Sequence, residues 1–129
     1  MKLVDSKYLE DMDIPWCFRA DIPTSALSRA PFVINLDDKG GRGTHWTAAM
    51  VRDGRLYYAD PFGTVLNGHP PAEFDRYTDR VVNTVAFQHP STSLCGYYSV
   101  CFVRAMRRIK TKIDLSTFER LLTESITTP

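Results

Sequence analysis

Cys95 opens a helical stretch. From Leu94 onward, apolar residues recur at Leu94, Tyr98, Cys101, Phe102, Ala105, Met106 and Ile109, the stripe of an amphipathic helix, with Ser91 or Ser93 placed to cap it. A cysteine in the first turn of a helix meets unpaired backbone N–H groups and the positive end of the helix dipole, and both stabilise a thiolate. That alone does not make a nucleophile, because a lone cysteine is more often a small packed residue. Cys101, centred in the apolar stripe, fits the packed description, and so does Cys17, which has no base beside it. Cys95 needs partners: a base to take up and return its proton, and an acid to hold that base in place.

His45 and Asp60 are spaced to be those partners. His45 to Val51 and Leu56 to Asp60 are two strand-like runs joined by Arg52-Asp53-Gly54-Arg55, and Asp-Gly is a preferred two-residue hairpin turn. With Asp53 and Gly54 as the loop, Arg52 faces Arg55, Thr47 faces Asp60 and His45 faces Phe62. Side chains alternate along a strand, so His45, Thr47 and Asp60 share a face, with His45 diagonal to Asp60 at roughly 7–8 Å between backbones. A carboxylate at that distance can fix the tautomer of an imidazole and stabilise its protonated form. Singly, a histidine at a strand start is a surface residue and an aspartate before Pro61 is a turn residue. Together, with a cysteine at a helix N-terminus, they form a nucleophile, a base and an orienting acid.

The rest of the chain supplies the frame. Asp5 or Ser6 can cap a short helix through Met12, carrying Tyr8, Leu9 and Met12 and stopped by Pro15. Trp16, Cys17 and Phe18 follow as a loop anchored to the core, and Pro31 to Leu36 reads as a buried strand. The stretch Asp37 to Gly43 holds three glycines, but it lacks the terminal Lys-Ser/Thr of a phosphate loop. Pro61-Phe62-Gly63 breaks the strand after Asp60, His69 and His89 sit in loops, and Pro71 opens a helical segment from Ala72 to Thr78. Val81 to Gln88 alternates as a strand that points at the Cys95 loop. Asp114 or Ser116 caps a last helix with Leu115, Phe118, Leu121, Leu122 and Ile126 toward the core.

With 129 residues, 43% hydrophobic and 24% charged, the chain reads as one domain spanning residues 1–129 with enough core to fold alone. A net charge of +1 gives no whole-surface case for nucleic acid or membrane. Arg104, Arg107, Arg108, Lys110 and Lys112 do form a local basic cluster, which suits the solvated C-terminal end of a helix and offers at most a weak DNA contact. Three cysteines without C-x-x-C spacing indicate neither a disulfide framework nor a zinc site. The first eight residues carry no apolar signal region and no stretch is long enough to span a bilayer. The expectation is therefore an intracellular protein with no metal and no cofactor.

His45-Trp46, a hydrophobic hairpin closing on an acid, and a glutamine seven positions before Cys95-Gly96 resemble the adenovirus protease and the SUMO-specific (Ulp-type) cysteine peptidases. Val33-Ile34-Asn35, Asp60-Pro61-Phe62-Gly63 and the aromatic pair Tyr97-Tyr98 extend the resemblance. It runs from the first helix to the end of the cysteine helix, and Pro-Phe-Gly draws it toward the viral branch. The resemblance implies Cys95 as nucleophile, His45 as base, Asp60 as orienting acid, and Gln88 as oxyanion donor with the Cys95 backbone N–H. It also implies that Trp46 narrows the substrate channel so that small residues pass. A glutamine at a strand end facing a helix N-terminus suits the oxyanion role on physical grounds as well. Asp60 stands where the adenovirus enzyme has glutamate, as in the Ulp branch. No cysteine lies between Asp60 and Gln88, where the adenovirus enzyme has one that bonds a peptide cofactor.

The expected fold is α+β and papain-like, a mixed central sheet packed against the Cys95 helix. The expected function is a cysteine endopeptidase acting at glycine-containing sites of protein substrates. The resemblance points to maturation of viral structural precursors in the host cell or virion. Processing of a ubiquitin-like modifier is the rival within the same chemistry, and a non-catalytic peptide- or nucleic-acid-binding module is the rival outside it.

Overall fold

The computed structural model describes residues 6–22, 30–36, 45–63, 70–87 and 94–127. In chain order the elements are α1 (Ser6–Asp11), β1 (Trp16–Phe18), β2 (Phe32–Asn35), β3 (Trp46–Arg52), β4 (Arg55–Ala59), β5 (Arg80–Val82), α2 (Cys95–Met106) and α3 (Leu115–Thr127). Single 3₁₀ turns lie at Arg19–Asp21 and Ala72–Phe74. The fold is α+β. Its five strands form one mixed sheet in the order β1-β2-β3-β4-β5, with the two edge pairs parallel and the inner pairs antiparallel.

The β3–β4 hairpin is the centre of that sheet, and its register follows from its turn. Asp53 and Gly54 both have positive φ, 52° and 77°, the backbone that a two-residue turn of matching twist requires. Arg52 then pairs with Arg55 and Ala48 with Ala59, so the register carries Thr47 opposite Asp60. Both faces of the hairpin are covered. Trp46, Ala48, Met50, Tyr57 and Ala59 pack with Phe102, Met106, Phe118 and Leu122 of the helices, while Ala49, Leu56 and Tyr58 pack with Phe32, Ile34 and Phe74 on the other side. That double burial explains why these strands read as near-continuous apolar runs. The paired alanines on the helix side leave room for α2 to lie close against the sheet.

Several expectations are corrected. Trp16–Phe18 is not an anchored loop but an edge strand, pairing in parallel with β2 through Cys17 and Ile34. The helix from Ala72 to Thr78 is a single 3₁₀ turn. Phe74 is buried there, Asp75, Arg76, Thr78 and Asp79 are exposed, and one apolar contact does not hold an α-helix together. The strand from Val81 to Gln88 ends at Val82, for reasons that belong to the site. α1 ends at Asp11, leaving Met12 exposed, and Asp13 turns the chain with φ 57°. Leu94 occupies the cap position of α2 without a side-chain cap bond, while Ser91 and Ser93 lie outside the described residues. Asp114 caps α3, its Oδ1 accepting the Thr117 N–H at 2.8 Å. Leu115 in the first turn of α3 is exposed. Among the described residues, no helix is long and apolar enough to cross a membrane.

Candidate active site

The site forms at one end of the hairpin, where β3 begins, β4 ends and α2 starts. Asp60 lies just past β4. Pro61, which has no N–H, follows it and the chain turns back: the Gly63 N–H bonds the Asp60 carbonyl at 2.9 Å, and the Phe62 N–H bonds Asp60 Oδ1 at 2.9 Å. An aspartate whose side chain takes up its own turn is held in one rotamer. Its other oxygen, Oδ2, accepts from His45 Nε2 at 3.1 Å. With Nε2 bonded to the carboxylate, Nδ1 is the ring's other nitrogen.

Cys95 stands on the other side of the imidazole as the first residue of α2, and the ring is in hydrogen-bonding contact with it. The Trp46 N–H donates to Cys95 Sγ at 3.3 Å, a donor that a thiolate accepts more strongly than a thiol does. Burial works against a charged His45 ring. The hydrogen bonds to Asp60 and Cys95 outweigh that burial, and the imidazolium persists up to about 9. At neutral pH the ring therefore carries its proton, between a carboxylate and a sulfur. Phe62 stacks on the ring at 5.1 Å between centroids and 19° between planes.

The structure thus brings His45, Asp60 and Cys95 together from positions 15 and 50 residues apart in sequence. Trp46 is 5% exposed and its indole packs edge-on against Trp16; what the residue gives the cysteine here is its backbone N–H. Gln88, His69 and His89 lie outside the described residues, as does the glycine loop. Phe87 is the last described residue before Gln88, and its N–H bonds the Pro61 carbonyl at 2.8 Å, so the residue before Gln88 is tied to the Asp60 turn. Cys101 is buried, and burial together with Asp21 pushes the Cys17 thiol up to about 11. Neither behaves as an activated thiol.

Two residues not singled out from sequence stand behind the site. Asn83 is fully buried and bonds the main chain of Asp60. Glu119, from α3, accepts the N–H groups of Thr84 and Val85 on Oε2 at 3.0 and 3.1 Å. Side chains thereby take over main-chain bonds that a longer β5 would have made, which is why the strand stops at Val82. An asparagine interrupting a valine-rich run is a poor strand residue, and that was the available signal for Asn83. Nothing in the sequence marks Glu119. The same crowding explains Gly63: it has φ 73°, and a Cβ there would meet the Thr84 carbonyl oxygen at 2.6 Å.

Compared with known proteins, the chain matches no family model, no curated protein and no solved structure.

Proposed function

We propose that this chain is a papain-like cysteine endopeptidase related to the adenovirus and Ulp-type enzymes, with Cys95 as nucleophile, His45 as acid and base, and Asp60 as its orienting acid. The observation that carries the reading is the position of His45, bonded through Nε2 to a buried carboxylate and in contact with a cysteine at a helix N-terminus. A structural histidine needs one of those partners; acyl transfer needs both.

The thiolate of Cys95 attacks the peptide carbonyl carbon, and the carbonyl electron pair moves onto oxygen. The oxyanion collapses, the C–N bond breaks, and His45 Nδ1 gives its proton to the departing amine, leaving a thioester on Cys95. The neutral ring then takes a proton from water as the hydroxide adds to the thioester. Collapse of the second oxyanion releases the acid product and restores the thiolate–imidazolium pair. Asp60 stays ionised and keeps the ring from rotating away. The Cys95 backbone N–H and Gln88 are the oxyanion donors in this proposal, and glycine-containing sites in viral structural precursors are the favoured substrates.

Cleavage-site profiling on a peptide library tests the reading, with Cys95→Ala as control. Expected are cuts beside small residues, absent in the control. A library left intact at neutral pH, or cut equally by the control, overturns it. Cleavage of ubiquitin-like fusions in preference to capsid-type peptides would move the substrate class to modifiers.

A further inference from the structure

Asn83 lies one residue past β5, with its side chain fully buried and with no part in the chemistry described above. Its amide is spent on main-chain groups. Oδ1 accepts the Asp60 N–H at 2.8 Å, and Nδ2 donates to the Asp60 carbonyl at 2.7 Å and to the Val85 carbonyl at 3.0 Å. The β4–β5 ladder has its last pair at Tyr58 and Val82, one more main-chain bond runs from the Asn83 N–H to the Tyr58 carbonyl at 3.4 Å, and beyond it the Asn83 side chain reaches Asp60. A primary amide offers one acceptor and two donors in a plane, and here it stands in for the missing peptide group.

We propose that Asn83 is a positioning residue of the peptidase: by gripping Asp60 at both its N–H and its carbonyl, it sets the carboxylate that orients His45, and through Val85 it makes the acid turn and the chain leading to Gln88 one unit. The proposal rests on the peptidase reading. Asp60 has its Oδ1 committed to its own turn and its Oδ2 to the histidine, so a shift of its backbone moves the carboxylate with it. The chain beyond Asn83 is gripped from the far side by Glu119 and pressed against Gly63. Releasing the amide removes its grip on both main-chain groups of Asp60, and the turn is then tied to that chain one residue further on, by the Phe87 N–H to the Pro61 carbonyl. A displacement of about 1 Å in a catalytic group can cost roughly a hundredfold in rate.

The test compares wild type, Asn83→Ala and Asn83→Ser, with Phe118→Leu as a control that loosens the core away from the site. Two readouts are used: turnover of a peptide found by the library, and the His45 imidazole titration followed by nitrogen-resolved NMR. Asp60 and Cys95 are the titratable groups that the described residues bring against that ring. In both Asn83 variants, kcat should fall roughly ten- to a hundredfold with KM changed by less than about twofold. The His45 titration should move down from about 9 toward 6.5. Phe118→Leu, assayed where it is folded, should keep both.

Folded Asn83 variants with wild-type kcat and an unmoved His45 titration overturn the proposal while leaving the peptidase reading in place. Absence of cleavage by the wild type overturns the peptidase reading, and the titration still decides whether Asn83 sets the geometry of Asp60 and His45. Should neither variant fold, the wild type decides: the Asn83 side-chain amide resonances should track the His45 titration, and resonances that stay fixed through it overturn the proposal.

Discussion

Replacing Cys95 with alanine removes the sulfur and leaves a side chain that fits the same buried first-turn position, so Cys95→Ala should fold and have no peptidase activity. Cys17→Ala and Cys101→Ala should keep turnover, checked on the same peptide. His45 gives a pH signature. Its pKa is raised from 6.5 to about 9 in the fold, so its contribution to stability is fully present below 6.5 and is lost as pH rises through about 9. Urea unfolding of wild type and His45→Gln between pH 6 and 9.5 should show a wild-type advantage that shrinks across that window. A gap that does not change with pH would contradict the imidazolium pairing. Gln88 acts later. An oxyanion donor serves the tetrahedral intermediate and not the resting thiol, so Gln88→Ala should lower kcat by roughly 10²- to 10³-fold. Its alkylation by iodoacetamide should stay at the wild-type rate.

At the scale of elements, the Asp60 turn and the segment after β5 are packed back to back. Gly63→Ala places a Cβ 2.6–2.8 Å from the Thr84 and Val85 backbone in a left-handed conformation. The conformation alone costs roughly 1–3 kcal/mol, so urea unfolding should show at least that loss, together with lower turnover. Phe118→Ala should cost about 3–5 kcal/mol, since its ring is fully buried against Tyr57. How much was legible in the sequence divides along the same lines. The hairpin was readable because Asp53-Gly54 fixes its register locally, and with it the approach of His45 to Asp60. α2 and α3 were readable because their apolar spacing is long and periodic. β1 was not, because a three-residue edge strand is defined by its partner. The length of β5 was misjudged because Asn83 and Glu119, the latter far away in sequence, end it with side-chain bonds that valine alternation cannot reveal.

For the whole molecule, near-neutral charge leaves the basic cluster at the end of α2 as the main feature facing polyanions. Part of it is already spent. Arg108 pairs with Glu124 at 3.2 Å and Lys112 with Asp79 at 3.4 Å, leaving Arg104, Arg107 and Lys110 without an ion pair among the described residues. With about three contacts, DNA binding should be weak and fall steeply between about 50 and 200 mM salt, which fluorescence anisotropy on a labelled duplex would report. α2 packs along the sheet, and at its first turn the hairpin end brings His45 and Asp60 to Cys95; the central claim is that this meeting makes one thiol of the three reactive. A peptidyl vinyl sulfone ending in glycine measures that directly, because addition needs a thiolate and a nearby proton donor. At neutral pH, intact mass and peptide mapping should show one label, on Cys95, and its rate should collapse in His45→Ala. Label shared among Cys17, Cys95 and Cys101, or a Cys95 rate unchanged in His45→Ala, would contradict it.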